Sequence, residues 1–324
     1  MQVNTELFTP SKAYKPFRFP WAYEAWLEHE KMHWLHDEFD MSDDVKDWNN
    51  NLEPHEKNLI TQILRLFTQQ DADVESAYLD LYLPKFKPTE IRMMLSGFAS
   101  RENTHMAAYS HLLETVGMPE TEYEAFLDYK EMADKHHYLK KFNMDTPHNT
   151  ALSMAVFGAF TEGLALFASF IMLLSFQRNN RMKSMCSIVD YSLRDENMHV
   201  QAIIRLYHEL RNSTPGIDAN ELDQDIYTAC HEIVTNEDAF IDLAFEMGDV
   251  KGLTREGVKS YIRFIADRRL QQLGLEPIYG IEENPEPWID DILSSPIHTN
   301  FFEGRATEYT KAATTGTWSD VFPN

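Results

Sequence analysis

The sequence predicts an all-α protein, a bundle of long helices, and three observations support that prediction. Only 12 of the 324 residues are glycine, and long stretches lack both glycine and proline, the residues that most often interrupt helices. Apolar residues make up 43% of the chain, which is enough for a full core, and they recur at helical spacing. Two segments each carry a Glu-x-x-His motif, which places a carboxylate and an imidazole on one helix face.

Helical segments follow one another along most of the chain. Residues 1–19 are rich in proline and are expected to be irregular. Eight segments with helical character then follow, separated by proline, glycine or polar runs: 21–36, 54–83, 88–116, 120–146, 151–176, 180–212, 218–247 and 254–272. Of these, 120–146 is expected to be a charged connection on the surface. We expect residues 1–296 to form one helical domain and residues 297–324 a tail with little apolar periodicity.

Charge and cysteine content exclude several classes of protein. The chain carries 29 basic and 52 acidic residues, a net charge of -23, so its surface would repel a nucleic-acid backbone. Its two cysteines, Cys186 and Cys230, have no metal-binding or redox spacing, which fits the reducing cytoplasm and not a disulfide scaffold. The N-terminus shows no basic region followed by an apolar one, so no secretory signal is expected.

The segment 151–176 is apolar throughout and could be interpreted as a membrane span. A helix that is apolar on all sides is also typical of the centre of a large bundle, and the sequence favours that interpretation because the other long helices are amphipathic. The only charged residue of the segment is Glu162. A buried carboxylate costs many kcal/mol unless it is neutral, hydrogen-bonded or next to a cation. Beside two Glu-x-x-His motifs, a metal cation is the favoured partner.

The two Glu-x-x-His motifs predict a centre with two metal ions. Glu102 and His105 form the first motif, with Tyr109 one turn further along the same face, and Glu196 and His199 form the second. Two such motifs on separate helices are typical of di-iron or di-manganese carboxylate bundles. Each metal would receive one imidazole nitrogen and several carboxylate oxygens.

A fourth carboxylate besides Glu102, Glu162 and Glu196 should come from segment 54–83. Asp71 and Glu75 lie one turn apart there, and spacing alone does not separate them. Asp195 is turned about 100° from Glu196 on a helix, so it is either an acceptor that orients a ligand imidazole or an ordinary residue on a polar edge.

Other histidines are interpreted as non-ligands. A third Glu-x-x-His, from Glu30 to His33, lies in a charged segment without a partner acid and is interpreted as a solvated helix face. Five further histidines are expected to be surface or core residues: His111, His136, His137, His208 and His231.

In these residues the chain resembles the small, radical-generating subunit of class I ribonucleotide reductase, from about Phe17 to the C-terminus. The intervals also match: 31 residues from Asp71 to Glu102, 60 to Glu162 and 34 to Glu196. The matching motifs are Trp34-Leu35-His36-Asp37-Glu38, Phe67-Thr68-Gln69-Gln70-Asp71, Arg101 to Tyr109, Thr161-Glu162-Gly163 and Arg194 to His199. The resemblance implies a ferritin-like helical bundle with additional helices and a flexible C-terminal tail.

The resemblance also implies the cofactor and the ligands. It selects Asp71 over Glu75 and places Asp71, Glu102 and His105 on one metal, with Glu162, Glu196 and His199 on the other. The metals would be two iron ions, with manganese or a mixed pair as alternatives. After activation of O2, Tyr109 would be oxidised to a stable tyrosyl radical.

Partners and a route for the radical follow from the same resemblance. Trp34, Asp195 and His105 would pass the electron hole towards the surface, and Tyr309 would relay it to the large subunit, which reduces ribonucleotides. The terminal Trp318-Ser319-Asp320-Val321-Phe322 would anchor that subunit, and a homodimer is expected. The alternatives are a ferritin-like oxygenase or desaturase with its own apolar substrate channel, and a metal-storage or structural bundle.

Overall fold

The computed structural model describes residues 6–214 and 216–294, which are mainly helical and contain no β-strand. The α-helices in chain order are α1 (Pro20–Lys31), α2 (Ser42–Lys46), α3 (Pro54–Ser76), α4 (Leu83–Lys85), α5 (Thr89–Thr115), α6 (Lys130–Leu139), α7 (Pro147–Met154), α8 (Leu166–Leu174), α9 (Lys183–Ser213), α10 (Ala219–Ala244), α11 (Arg255–Gln272) and α12 (Trp288–Ser294). The all-α prediction is confirmed. The chain divides into two compact units, Met1–Glu286 and Pro287–Asn324.

Within the described ranges, three π-helical segments interrupt the α-helical pattern: Asp47–Asn51, Ala77–Tyr82 and Ala155–Ala165. The second continues α3 into α4, so the predicted helix 54–83 is helical throughout. The third joins α7 to α8. Short π-helical segments are frequent at functional sites because they rotate side chains out of the regular helical register.

The predicted helix 21–36 ends five residues early, at Lys31. Its last carbonyl groups are occupied by side chains from other helices. Arg101 donates to the carbonyl oxygens of Met32 at 2.7 Å and of His29 at 3.3 Å, and Arg194 donates to that of Met32 at 2.9 Å. These guanidinium groups supply the hydrogen bonds that backbone N–H groups of a further helical turn would otherwise donate. The helix ends there, and Trp34 consequently lies in the segment after α1.

The apolar helix is buried, as the sequence predicted. Pro147–Asn179 is long and apolar enough to cross a membrane, yet its most apolar stretch is wholly enclosed by the protein. It begins where the Thr146 hydroxyl accepts a hydrogen bond from the backbone N–H of Asn149 at 3.0 Å, an ordinary N-cap. The π-helical segment Ala155–Ala165 packs against α9, α10 and α11, which brings Glu162 to the interior.

The connection 120–146 was expected to lie on the surface, but part of it is buried in the bundle. Two short 3-10 turns lead into α6, whose Met132, Lys135 and Leu139 are buried. Lys135 Nζ lies 2.7 Å from Glu237 Oε1 of α10. The buried ion pair fixes α6 against the bundle, a tertiary contact that the charged composition of this segment does not reveal.

Candidate metal centre

Six side chains from four helical segments meet in the interior of the bundle. Their ligand atoms form two overlapping groups, within each of which all atoms lie within 4.8 Å of one another. One group is Asp71, Glu102 and His105, and the other is Glu102, Glu162, Glu196 and His199. All six are at most 1% exposed. The structure therefore brings together all six predicted ligands, and Glu102 belongs to both groups.

Glu102 and Glu196 each extend between the two imidazoles. Oε2 of Glu102 lies 3.3 Å from His105 Nδ1, and Oε1 lies 3.2 Å from His199 Nδ1. Glu196 repeats this arrangement, with Oε1 at 3.2 Å from His105 Nδ1 and Oε2 at 3.5 Å from His199 Nδ1. Each glutamate thus places one oxygen beside each imidazole, so both could ligate two cations at once.

Several ligand atoms lack a hydrogen-bond donor or acceptor. Among the described residues, the buried atoms without such a partner include Asp71 Oδ2, Glu102 Oε1, both Glu196 oxygens and His199 Nδ1. Four carboxylates without counter-charge are unfavourable in a dry interior. Two divalent cations would supply four positive charges and bind the orphaned atoms, so the residues present fit a dimetal centre with oxygen and imidazole ligands.

The ionisation of these groups shows the same need for positive charge. Burial raises the pKa of Glu162 to about 8 and that of Asp71 well above its usual range. Burial alone would lower the pKa of His105, but Glu102 and Asp195 raise it well above the usual range. Protons thus occupy positions that cations would take, since either can neutralise the carboxylates.

Asp195 is fully buried and lies behind His105. Its Oδ2 is 3.4 Å from His105 Nε2 and accepts hydrogen bonds from Trp34 Nε1 at 2.8 Å and Arg101 at 2.9 Å. Burial would raise the pKa of Asp195, but the donors His105 and Arg101 hold it well below its usual range. The position supports an acceptor that orients a ligand imidazole, and it is not on a polar helix edge.

His29 has the corresponding position behind His199, and the sequence analysis did not single it out. The two Nε2 atoms lie 3.1 Å apart, and burial followed by the charge of His199 lowers the pKa of His29 to about 2. His105 therefore has an anionic partner, Asp195, on the side away from the proposed metals, whereas His199 has a neutral partner, His29. Helical spacing offered a signal, because His29 shares the buried face of α1 with Trp21 and Ala22.

Tyr109 is buried beside the centre on α5. Its hydroxyl donates a 2.9 Å hydrogen bond to Ser192 Oγ, and its ring centroid lies 4.4 Å from that of Phe67. Burial and the Asp71 charge raise the pKa of Tyr109 well above its usual range, so it is a neutral phenol. Ser192 is absent from the sequence-based predictions, although it lies one turn before Glu196 on the same face.

A second phenol contacts a candidate ligand directly. Tyr78 donates a 2.6 Å hydrogen bond to Glu162 Oε1, and both side chains are at most 1% exposed. Tyr78 lies in the π-helical segment Ala77–Tyr82, where regular helical spacing from Asp71 no longer holds. Helical spacing within this segment does not predict the contact between Tyr78 and Glu162.

The remaining candidates lie elsewhere. Glu75 is half-buried and outside both ligand groups, so the structure favours Asp71, as the resemblance did. Glu30 and His33 are exposed. Among the described residues, the two ligand groups contain none of the five histidines set aside above. Tyr309 and the segment Trp318–Phe322 lie outside the described residues.

Comparisons with known proteins agree with this geometry. The profile of the family described as "Ribonucleotide reductase, small chain" matches residues 11–285. A probable ribonucleoside-diphosphate reductase small subunit of Invertebrate iridescent virus 3 is 43% identical, over 97% of this chain and 88% of that protein.

Two solved structures share the fold. The ribonucleotide reductase R2 subunit from Clostridium botulinum superposes with a TM-score of 0.81 at 22% identity, over 87% of this chain and 90% of that one. The dimanganese(II)-NrdF protein of Streptococcus sanguinis gives 0.77 at 18% identity, over 89% of this chain and 100% of that one. The ferritin-like prediction is confirmed at the level of the fold.

Proposed function

This chain belongs to the ribonucleotide reductase small-chain family and is a small (beta) subunit of ribonucleoside-diphosphate reductase, and from that premise we propose that it stores an oxidising equivalent on Tyr109 for a large subunit. The observation that carries the proposal is the pair of glutamates between His105 and His199, with Tyr109 buried beside them.

The metal ligands are proposed residue by residue. Asp71 and His105 belong to one metal, Glu162 and His199 to the other, and Glu102 and Glu196 lie between the two imidazoles. Oxygen and nitrogen ligands suit iron and manganese alike, and the relative from Streptococcus sanguinis is a dimanganese protein. Two iron ions are proposed, with manganese or a mixed pair as alternatives. When bound, the reduced pair supplies the electrons that activate O2.

The protein's own residues then handle one electron and one proton. Tyr109 gives up both and becomes a neutral tyrosyl radical. The burial of Tyr109 excludes water, and its contact with Phe67 surrounds it with apolar atoms, which protects the radical from reductants. Asp195 fixes the orientation of His105 and accepts the indole N–H of Trp34, so an electron hole can leave through Trp34.

Partner binding is proposed from the family. The large subunit would bind residues 297–324, with Trp318 to Phe322 as an apolar anchor and Tyr309 as the relay. We also propose a homodimer in the cytoplasm. A segment that folds into a groove on a partner is a common mode of peptide recognition.

The experiment is metal analysis and electron paramagnetic resonance (EPR) on protein reconstituted with iron or manganese and O2, followed by a deoxyribonucleotide assay with purified large subunit. We expect two metals per chain, a tyrosyl signal and turnover. Deletion of residues 309–324 should keep the metals and the signal but abolish turnover. Turnover by the truncated chain would refute the role of the tail. Many metals per chain, or none, would instead indicate storage or a structural role.

A further inference from the structure

We infer that Ser192 is a positioning residue for Tyr109, whose hydroxyl becomes the hydrogen-bond donor to the phenoxyl oxygen once the radical has formed. The inference rests on the proposed function, because it concerns the oxidised state of Tyr109. Helix α9 would then position the hydrogen-bond partner of Tyr109 in addition to the two proposed ligands Glu196 and His199. Nothing in the sequence motif itself requires a hydroxyl at this position.

The contact is close and dry. Tyr109 Oη and Ser192 Oγ are 2.9 Å apart, and the two side chains are 1% and 0% exposed. Within the described part of the chain, no other side chain is hydrogen-bonded to Ser192 Oγ. Ser192 lies one turn before Glu196 on α9, so the helix that supplies two ligands also fixes this hydroxyl.

The direction of this hydrogen bond must reverse when Tyr109 is oxidised. The phenol now donates and the serine accepts. Oxidation removes one electron, which metals oxidised by O2 would take up, and one proton. An alcohol is too weak a base to keep that proton, which is instead consumed in the reduction of O2 to water.

The phenoxyl oxygen can only accept hydrogen bonds. A serine hydroxyl is both donor and acceptor and rotates freely, so Ser192 can donate to that oxygen without any movement of the backbone. The hydrogen bond places positive charge density next to the oxygen and stabilises its lone pairs. The g-component along the C–O bond consequently decreases, which gives the contact a direct spectroscopic signature.

Tyr78 offers an instructive contrast. It is also buried, but it donates to Glu162, and a carboxylate is basic enough to take the proton of an oxidised phenol. Oxidation of Tyr78 would therefore protonate a proposed metal ligand. Tyr109 is hydrogen-bonded to an alcohol that is not a ligand, which favours Tyr109 as the place where the radical persists.

The test compares wild type, Ser192→Ala, Ser192→Thr and Ser169→Ala, each reconstituted with ferrous iron and O2. Ser169 is a matched control because it is another buried serine, and among the described residues its Oγ has no partner. High-field EPR gives the g-value, and electron-nuclear double resonance after exchange into D2O detects a deuteron on the hydrogen bond. Circular dichroism confirms that each variant is folded.

We expect wild type and Ser169→Ala to show the lowered g-component and an exchangeable deuteron. Ser192→Ala should raise the g-component, lose the deuteron and shorten the radical half-life several-fold, and Ser192→Thr should restore wild-type values. Failure of Ser192→Ala alone to form a radical would also support the inference, while failure of both Ser192 variants would overturn it.

Unchanged spectra in Ser192→Ala beside a normal wild-type radical would overturn the role of Ser192 but leave the proposed function intact. Wild type with two metals and no tyrosyl signal would overturn the proposed function, and this inference with it.

Discussion

Trp34 donates a 2.8 Å hydrogen bond from its indole Nε1 to Asp195 Oδ2, which joins the segment after α1 to the middle of α9. The same oxygen lies 3.4 Å from His105 Nε2, and the Trp34 and His105 rings are 5.9 Å apart. One carboxylate oxygen thus connects an indole to a candidate metal ligand. Under the proposed function, an electron hole that leaves the centre would pass along these three buried side chains.

The first prediction concerns Trp34→Phe. Asp195 keeps His105 and Arg101 as partners in this variant, so no charge is left unpaired. We expect two bound metals and a wild-type Tyr109 radical, but at least a 100-fold loss of turnover with the large subunit. Metal analysis, EPR and the deoxyribonucleotide assay measure the three quantities. Wild-type turnover would exclude Trp34 from the path.

The second prediction concerns Tyr109→Phe. Loss of the phenol leaves the buried Ser192 hydroxyl without its partner, which should reduce the free energy of unfolding by roughly 1–2 kcal/mol. Two metals should still bind, while the radical and the activity disappear. Equilibrium unfolding in urea and EPR provide the measurements. If the variant retained full activity, the radical would have to reside elsewhere.

The third prediction is that metal affinity rises with pH. Without metal, Asp71, Glu162, His105 and His199 have raised pKa values, and that of Glu162 is about 8. Glu162, His105 and His199 therefore hold protons near pH 7, some of which bound cations must displace. Each displaced proton increases the affinity about tenfold per pH unit below the relevant pKa. Release of two protons would give roughly 100-fold per unit.

Calorimetric titration with Mn²⁺ at pH 6.5, 7.0 and 7.5 measures this slope. Repetition in buffers with different ionisation enthalpies counts the released protons independently. An affinity that stays constant across this range would mean that the six side chains are not the ligands.

The fourth prediction concerns Arg269 of α11. Its Nε donates a 2.8 Å hydrogen bond to the carbonyl oxygen of Gly163, next to Glu162. A Cβ at Gly163 would lie 2.7 Å from that Nε, so glycine is needed for this approach. Burial lowers the pKa of Arg269 to about 10. A buried cation is costly, and its contact fixes the π-helical segment that carries Glu162.

We expect Arg269→Met to weaken binding of the metal at Glu162 by about tenfold, the order found when outer partners of ligands are lost. The free energy of unfolding should not fall, because a buried charge is removed. Arg263→Met is the matched control, since Arg263 lies on the same helix but pairs with Asp238. Equal metal affinity in the two variants would contradict the role of Arg269.

Local spacing predicted the helices and four of the six ligands, which are the two Glu-x-x-His pairs. Glu162 was predicted because it is the only charged residue of an apolar segment, and Asp71 because of the family resemblance. Apolar periodicity separates core from surface on each helix, and Glu-x-x-His puts two ligands on one face. Spacing alone could not separate Asp71 from Glu75, because one helical turn leaves both on one face. The two residues differ in burial, since Asp71 is buried and Glu75 is half-buried. That difference depends on which helices pack against α3, which spacing within α3 does not show.

Residues that act through tertiary contacts were not predictable in this way. His29, Tyr78 and Ser192 each contact a candidate site residue on a different helix. Spacing places His29 and Ser192 on buried faces of their own helices, but it does not show which residue each one contacts. The early end of α1 has the same origin, since Arg101 and Arg194 reach its last carbonyl groups from α5 and α9.

The proposed function requires two cations beside Tyr109, held by Asp71, Glu102, His105, Glu162, Glu196 and His199. Anomalous diffraction from crystals of iron-loaded protein, measured on both sides of the iron absorption edge, tests it most directly. We expect two peaks roughly 3.5–4 Å apart, one near His105 Nδ1 and one near His199 Nδ1. A single peak, or peaks away from these six side chains in protein that has bound iron, would contradict it.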